Sequence, residues 1–227
     1  MEITPLRALL WIIGGGFAVA GATLIWYANN APPTPITSEP AIVTSKPRHP
    51  VTPEMWKRAD AAKGVLAPDF TAPTVDGKQI HLRAYAAGRP AVVYFIKYDC
   101  PCSNDADPLY RRVYAAFDAK VPFVGVINTD KALTKKWLAR HKPQYPVVMD
   151  PKLKIIQSYK VSQSAYLALL DGDGRIERLW PGYSQQMLRE LHEAISRLTK
   201  REGKPLDVAY APKEISSGCS FYEPSGS

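Results

Sequence analysis

The chain has 227 residues, room for one domain of ordinary size plus additions, and its composition (46% hydrophobic, 22% charged, 21 prolines) is that of a globular protein. Three cysteines allow at most one intramolecular disulfide and leave a thiol over, which excludes a disulfide framework and favours redox chemistry. The net charge of +8 is spread over helices and tail with no dense basic run and no nucleic-acid module, so no nucleic acid is expected as partner; an anionic membrane surface suits the charge better.

From Ala8 to Ala28 there is no charged residue. A helix of that length, at 1.5 Å per residue, just spans a hydrocarbon core of about 30 Å. Trp11 sits near one end and Trp26 and Tyr27 at the other, where amphipathic rings favour the interface. Arg7 and the α-amino group place positive charge on the N-terminal side. Residues 1–30 are therefore expected to be a cytoplasmic stub and a retained transmembrane helix, with the rest of the chain extracytoplasmic. The apolar run is long for a cleaved signal, and "YANNAPP" is a poor cleavage site. Residues 31–53 hold seven prolines and read as an extended spacer, with His49 a solvated linker residue.

A folded domain is expected over 54–200. "PEMWKRADAAKG" forms a short helix, and "VLAPDFTAPTVDGKQIHLRAY" two extended pieces around the Asp76-Gly77 turn. "PAVVYFIK" is a continuous apolar run, as in a strand buried on both faces. Ser103 is a plausible N-cap for a helix that turns Leu109, Val113, Ala116 and Phe117 to one side. A second buried strand (121–128), a helix capped by Asp130, a third short strand at "YPVVMD" and a short helix follow. "AYLALLDGDGRIERLW" is a hairpin, and Ser184 caps a last amphipathic helix. Strands alternating with helices and ending in an antiparallel pair give an α/β sandwich around a central mixed sheet. Cys100 and Cys102 then lie just beyond the C-terminal end of a central strand, where open α/β sheets tend to place their chemistry.

With "APDFTAPTVDGKQIHLRAYAAGRPAVVYF", "YDCPCSNDADP" and "YLALLDGDGRIERLWPGY" in that order, the chain over about 64–200 resembles thioredoxin-like proteins of the redoxin family. That group joins membrane-tethered thioredoxin-like reductases with the alkyl hydroperoxide reductase–thiol-specific antioxidant type. Phe95 lies five residues before Cys100 and Pro108 five after Ser103, a register that the resemblance equates with the family's Cys-x-x-Cys. It implies that Cys100 is the nucleophile and that Ser103 stands where the second cysteine belongs. Three departures follow: Cys102 is interposed, Ala165 or a neighbour replaces the family's cis-proline, and Lys97 stands where peroxiredoxins carry a peroxide-orienting hydroxyl.

A thiol at a helix N-terminus is pushed toward thiolate by the unpaired N–H groups and the dipole, whereas Asp99 works against it if it points inward. The thiol that resolves the intermediate is Cys102, through a small and strained ring, or Cys219 in the 201–227 tail. That tail, rich in prolines and serines, is expected to be mobile enough to reach back, docking through Phe221 and Tyr222. The function expected is that of a membrane-anchored thiol–disulfide oxidoreductase with Cys100, Cys102 and Cys219 as its catalytic thiols, no cofactor, a disulfide-containing protein as substrate and a thiol electron donor. Two alternatives stand beside it. One is a peroxiredoxin-like peroxidase; the other is a non-catalytic thioredoxin-fold module that binds copper or zinc or serves assembly. His81, His141 and His192 are expected at the surface or half-buried and not as metal ligands.

Overall fold

Strand β3 (Ala91–Ile96) is the centre of the molecule, and all six of its side chains are buried. In this computed structural model, which describes residues 47–222, it lies between β4 (Phe123–Ile127), parallel to it, and β6 (Leu167–Leu170), antiparallel to it. With β5 (Val147–Met149) and β7 (Ile176–Trp180) the sheet runs β5-β4-β3-β6-β7. A separate hairpin, β1 (Thr71–Pro73) and β2 (Gln79–His81), turns through Asp76-Gly77 as the sequence indicates. This is the mixed-sheet thioredoxin-like sandwich. The proposed transmembrane segment Ala8–Ala28 and the spacer to residue 46 lie outside the described residues. Among the described residues no helix is long and apolar enough to cross a membrane.

Alternation along β3 sends Val92, Tyr94 and Ile96 into one core and Val93 and Phe95 into the other. The first core is roofed by α3 (Pro101–Ala116), α4 (Lys131–His141) and α6 (Gln185–Thr199). The second is roofed by α1 (Pro53–Ala61) and α5 (Lys154–Ser158), while α2 (Leu82–Ala86) adds Leu82. Each large aliphatic side chain so buried contributes about 1.5–3 kcal/mol, so two cores meeting on one strand fix β3 firmly. Asp130 and Ser184 cap α4 and α6, accepting from the Leu133 and Met187 N–H groups at 3.0 and 3.1 Å. Both agree with the sequence reading.

Two expectations need correction. The helix α3 begins at Pro101 with Cys100 as its N-cap, so Ser103 lies inside it. Proline at the first helical position presets φ and has no N–H to satisfy, which moves the start forward. Ser103 is fully buried and its hydroxyl accepts from the Lys97 N–H at 3.2 Å. His141 is buried, stacked on Trp137, with Nδ1 3.2 Å from the buried carboxylate of Asp107; an interior carboxylate has drawn the ring inward beside Arg111.

The tail reaches back onto the domain. Residues 216–221 are seated there as an extended segment. Tyr183 and Ser216 exchange two main-chain hydrogen bonds of 2.9 and 3.0 Å. The Ser217 N–H donates to the His49 carbonyl at 2.8 Å, and Pro50 and Ser216 form a further bridge. Phe221 is buried in the second core. Ser216 and Ser217 are almost fully buried, and buried main-chain groups need partners; the tail finds them here. The close approach needs glycine at 182, where a Cβ would collide with the Ser216 carbonyl.

Candidate active site

The strand β3 ends at Ile96, and the next four residues aim Cys100 back at the sheet edge. Tyr98 N–H donates to Asn128 Oδ1 at 2.8 Å, and Asp99 takes a left-handed conformation (φ 59°) with its side chain exposed. Cys100 N–H then donates to the Lys97 carbonyl at 3.3 Å. Cys100 ends up 1% exposed and Cys102, two residues further along, fully buried.

Opposite Cys100 stands the segment 163–165, which leads into β6. Ala165 is held at φ 59°, a left-handed backbone that costs a non-glycine residue about 1–2 kcal/mol. Its N–H donates to the Phe95 carbonyl at 2.9 Å, and its own carbonyl accepts from the buried Tyr110 hydroxyl at 2.9 Å. The neighbouring Ser164 hydroxyl donates to Cys100 Sγ at 3.2 Å. No peptide bond among the described residues is cis; the left-handed Ala165 occupies the position assigned to the family's proline.

The tail closes the site. Ser164 N–H donates to the Cys219 carbonyl and Gly218 N–H to the Ser164 carbonyl, both at 3.0 Å. This pairing carries Cys219 Sγ to 2.8 Å from Cys100 Sγ, and the Cys219 N–H donates to Cys100 Sγ at 3.2 Å. Lys97, buried, donates from Nζ to the Ser220 carbonyl at 2.6 Å. His49 Nε2 lies 3.7 Å from Cys219 Sγ. His49 is thus exposed but engaged, not the solvated linker residue its sequence neighbourhood suggests.

These contacts set the protonation pattern. The Cys100 thiol is lowered from the ordinary thiol range to about 4, chiefly because the Cys102 thiol donates to its sulfur. Burial opposes this, and donors on Cys219 and Ser164 add to it. Cys219 is pushed up to about 12 by burial and by its place beside Cys100, which it serves as proton donor. Cys102 is raised well beyond the thiol range because it, too, keeps its proton as donor to Cys100. The helix N-terminus makes no capping hydrogen bond to the Cys100 side chain. A low thiol pKa follows from the sequence reading, but the donors are two thiols, a hydroxyl and a tail amide.

All three cysteines expected to act are therefore brought together, with Cys219 Sγ 2.8 Å from Cys100 Sγ and Cys102 donating to the same sulfur. Sequence reasoning missed Ser164 and His49, whose contacts depend on where loops meet. Among the described residues no group of three or more His, Cys, Asp or Glu side chains is arranged to hold a metal ion.

The model of the AhpC/TSA family matches residues 64–179, about half of the chain. Peroxiredoxin Q from chloroplasts of Suaeda salsa is 27% identical over 155 residues, covering 63% of this chain and 71% of that one. Thiol-disulfide oxidoreductase ResA of Bacillus thuringiensis is 22% identical over 138 residues, covering 60% and 78%. The thioredoxin domain of a thiol-disulfide oxidoreductase from Bacteroides vulgatus superposes with a TM-score of 0.53 at 21% identity, over 59% of this chain and 98% of that one, a likeness of fold. The chain belongs to the AhpC/TSA family, and its chemistry is that of a thiol-dependent oxidoreductase.

Proposed function

For a member of the AhpC/TSA family built in this way, we propose a thiol–disulfide oxidoreductase in which Cys100 attacks and Cys219 resolves. The observation that carries this is the main-chain pairing of Ser164 with Gly218 and Cys219, which holds the two sulfurs 2.8 Å apart. The Cys100 thiolate attacks one sulfur of a substrate disulfide, and the other substrate sulfur leaves as thiolate. Cys219 then attacks Cys100 Sγ and releases the second substrate thiol. The substrate gains two electrons, the protein is left with a Cys100–Cys219 disulfide, and a thiol donor returns it to the dithiol state.

Because Cys100 is 1% exposed beneath the tail, the substrate must displace residues 216–221 from Ser164 to reach it. A groove that accepts an extended, cysteine-bearing segment of its own chain suits a peptide disulfide. Lys97, in place of a hydroxyl, and its bond to Ser220 favour the same choice over peroxide. Cys102 acts as the proton donor that keeps Cys100 ionised. Ala8–Ala28 tethers the domain to the outer face of a membrane. That reading rests on sequence alone, and fractionation tests it: a mature chain beginning after residue 31 and washing off membranes refutes it.

The test of the chemistry uses the reduced full chain, a peptide disulfide and hydrogen peroxide, with the product bridge mapped by peptide mass spectrometry. Fast exchange with the peptide disulfide and a Cys100–Cys219 bridge is expected, and Cys100→Ser removes both. Fast reaction with peroxide alone makes the protein a peroxidase like peroxiredoxin Q instead. Reaction no faster than that of a free thiol with either substrate defeats the catalytic reading.

A further inference from the structure

Resolution by Cys219 has a chemical obstacle. In the reduced protein its thiol is pushed up to about 12, first by burial and then by the neighbouring Cys100 sulfur; burial remains when Cys100 is joined to a substrate, and it still disfavours the thiolate. A thiol in that state becomes a nucleophile only when a base takes its proton as it attacks. We propose that His49, from the segment preceding the domain's first helix, is the catalytic base that deprotonates Cys219 during resolution.

The geometry singles it out. His49 Nε2 is 3.7 Å from Cys219 Sγ, within reach of an S–H···N hydrogen bond. The ring is carried by a main chain tied to the same tail: the His49 carbonyl accepts from the Ser217 N–H at 2.8 Å, and Pro50 bridges to Ser216. Arg48 is anchored to Asp105 of α3 at 3.7 Å, so base and nucleophile are held by one small assembly. The other titratable groups around them do not fit the role. Lys97, as an ammonium, favours the Cys219 thiolate but has no lone pair with which to accept a proton. Asp105 is paired with Arg48. Cys102 spends its proton on Cys100, and Cys100 itself is the sulfur under attack.

The step balances, and it rests on the assignment of Cys100 and Cys219 made above. With Cys100 joined to a substrate sulfur, the lone pair of neutral His49 Nε2 takes the Cys219 proton. The sulfur electrons form the bond to Cys100 Sγ, and the Cys100–substrate bond breaks toward the substrate. The substrate leaves as thiolate and takes up a proton from water. His49 is exposed and returns its own proton to solvent.

A chromogenic aromatic disulfide separates the steps, because attack by Cys100 releases one coloured thiolate and resolution releases the second. Mixed rapidly with the reduced full chain, it is expected to give two phases. In His49→Gln the second phase slows by roughly a hundredfold, in line with the loss of a general base, and added imidazole restores part of it; the first phase keeps its rate. A second phase unchanged in His49→Gln overturns the proposal, as does equal slowing of both phases without rescue by imidazole, which marks a structural role. A missing second phase in the unsubstituted chain is a different failure: it removes Cys219 as resolving thiol, and the base with it.

Discussion

The N-terminus of α3 and the tail at 216–221 each present a thiol to Cys100, and they do so by different physics. Cys102 is two residues away and tied to the same helix, yet its contribution is a proton held toward the Cys100 sulfur from a fully buried position. Cys219 is 119 residues away and arrives by main-chain pairing, yet its sulfur lies 2.8 Å from that of Cys100. In the proposed mechanism, nearness in sequence supplies an electrostatic neighbour and nearness set by strand-like pairing supplies the reaction partner. The distinction matters because a Cys-x-Cys read in isolation invites the opposite assignment.

The largest test of this contrast exchanges the two thiols. Cys219→Ser is expected to abolish the intramolecular bridge, so that Cys100 accumulates as a mixed disulfide with the substrate. Cys102→Ser is expected to leave the Cys100–Cys219 bridge as the product. Non-reducing peptide mapping after one turnover reads both. A Cys100–Cys102 bridge in the unsubstituted chain would reverse the roles assigned to the two regions.

A smaller effect is expected from the seat of the tail. Gly218 packs so closely on Ser164 that a Cβ there would collide with its hydroxyl and lie 2.6 Å from its carbonyl oxygen. Gly218→Ala must therefore lift the segment, while leaving the α3 side intact. Displacing a reacting group by about 1 Å costs up to roughly a hundredfold in rate. Bridge formation should slow on that scale, with the first attack by Cys100 on a small disulfide unchanged or faster, since the tail no longer covers it. Equal bridge formation in Gly218→Ala would mean that tail docking does not position Cys219.

Much of this architecture was legible because its signals are local. The run from Ala91 to Ile96 is apolar without alternation, Asp76-Gly77 marks a turn, and Asp130 and Ser184 cap helices within three residues of themselves. The site was legible to the extent that Cys100 follows a buried strand. What could not be read were contacts made across the chain. His49 lies in a proline-rich stretch and looks solvated until Ser216 and Ser217 pair with its neighbourhood. The tail has prolines and serines typical of loose segments, but its main-chain groups are satisfied by Tyr183, Ser164 and Ser162. Ser103 looked like a cap because serine is a common one, although Pro101 already marks the first helical position.

The smallest effect probes the α3 side alone. If Cys102 holds Cys100 ionised by donating to it, Cys102→Ala removes a hydrogen bond to a charged sulfur, worth about 1.5–3 kcal/mol, or roughly one to two pKa units. The ultraviolet absorbance of the thiolate in the reduced chain reports this directly. In the unsubstituted chain the Cys100 signal should persist well below the ordinary thiol range, toward about 4, and in Cys102→Ala its midpoint should move up. Cys102→Ser, which keeps a donor, should move it less. The sign carries over to stability. A thiol whose folded pKa is depressed contributes fully above the unfolded value of about 8.5, and that contribution is lost as pH falls through the folded pKa. The reduced chain should therefore lose stability on acidification over that window, and Cys102→Ala should lose less, having less to give up. An unmoved midpoint in Cys102→Ala would leave the tail amide, Cys219 and Ser164 as the groups that ionise Cys100, and the tail would then supply both the partner and the field.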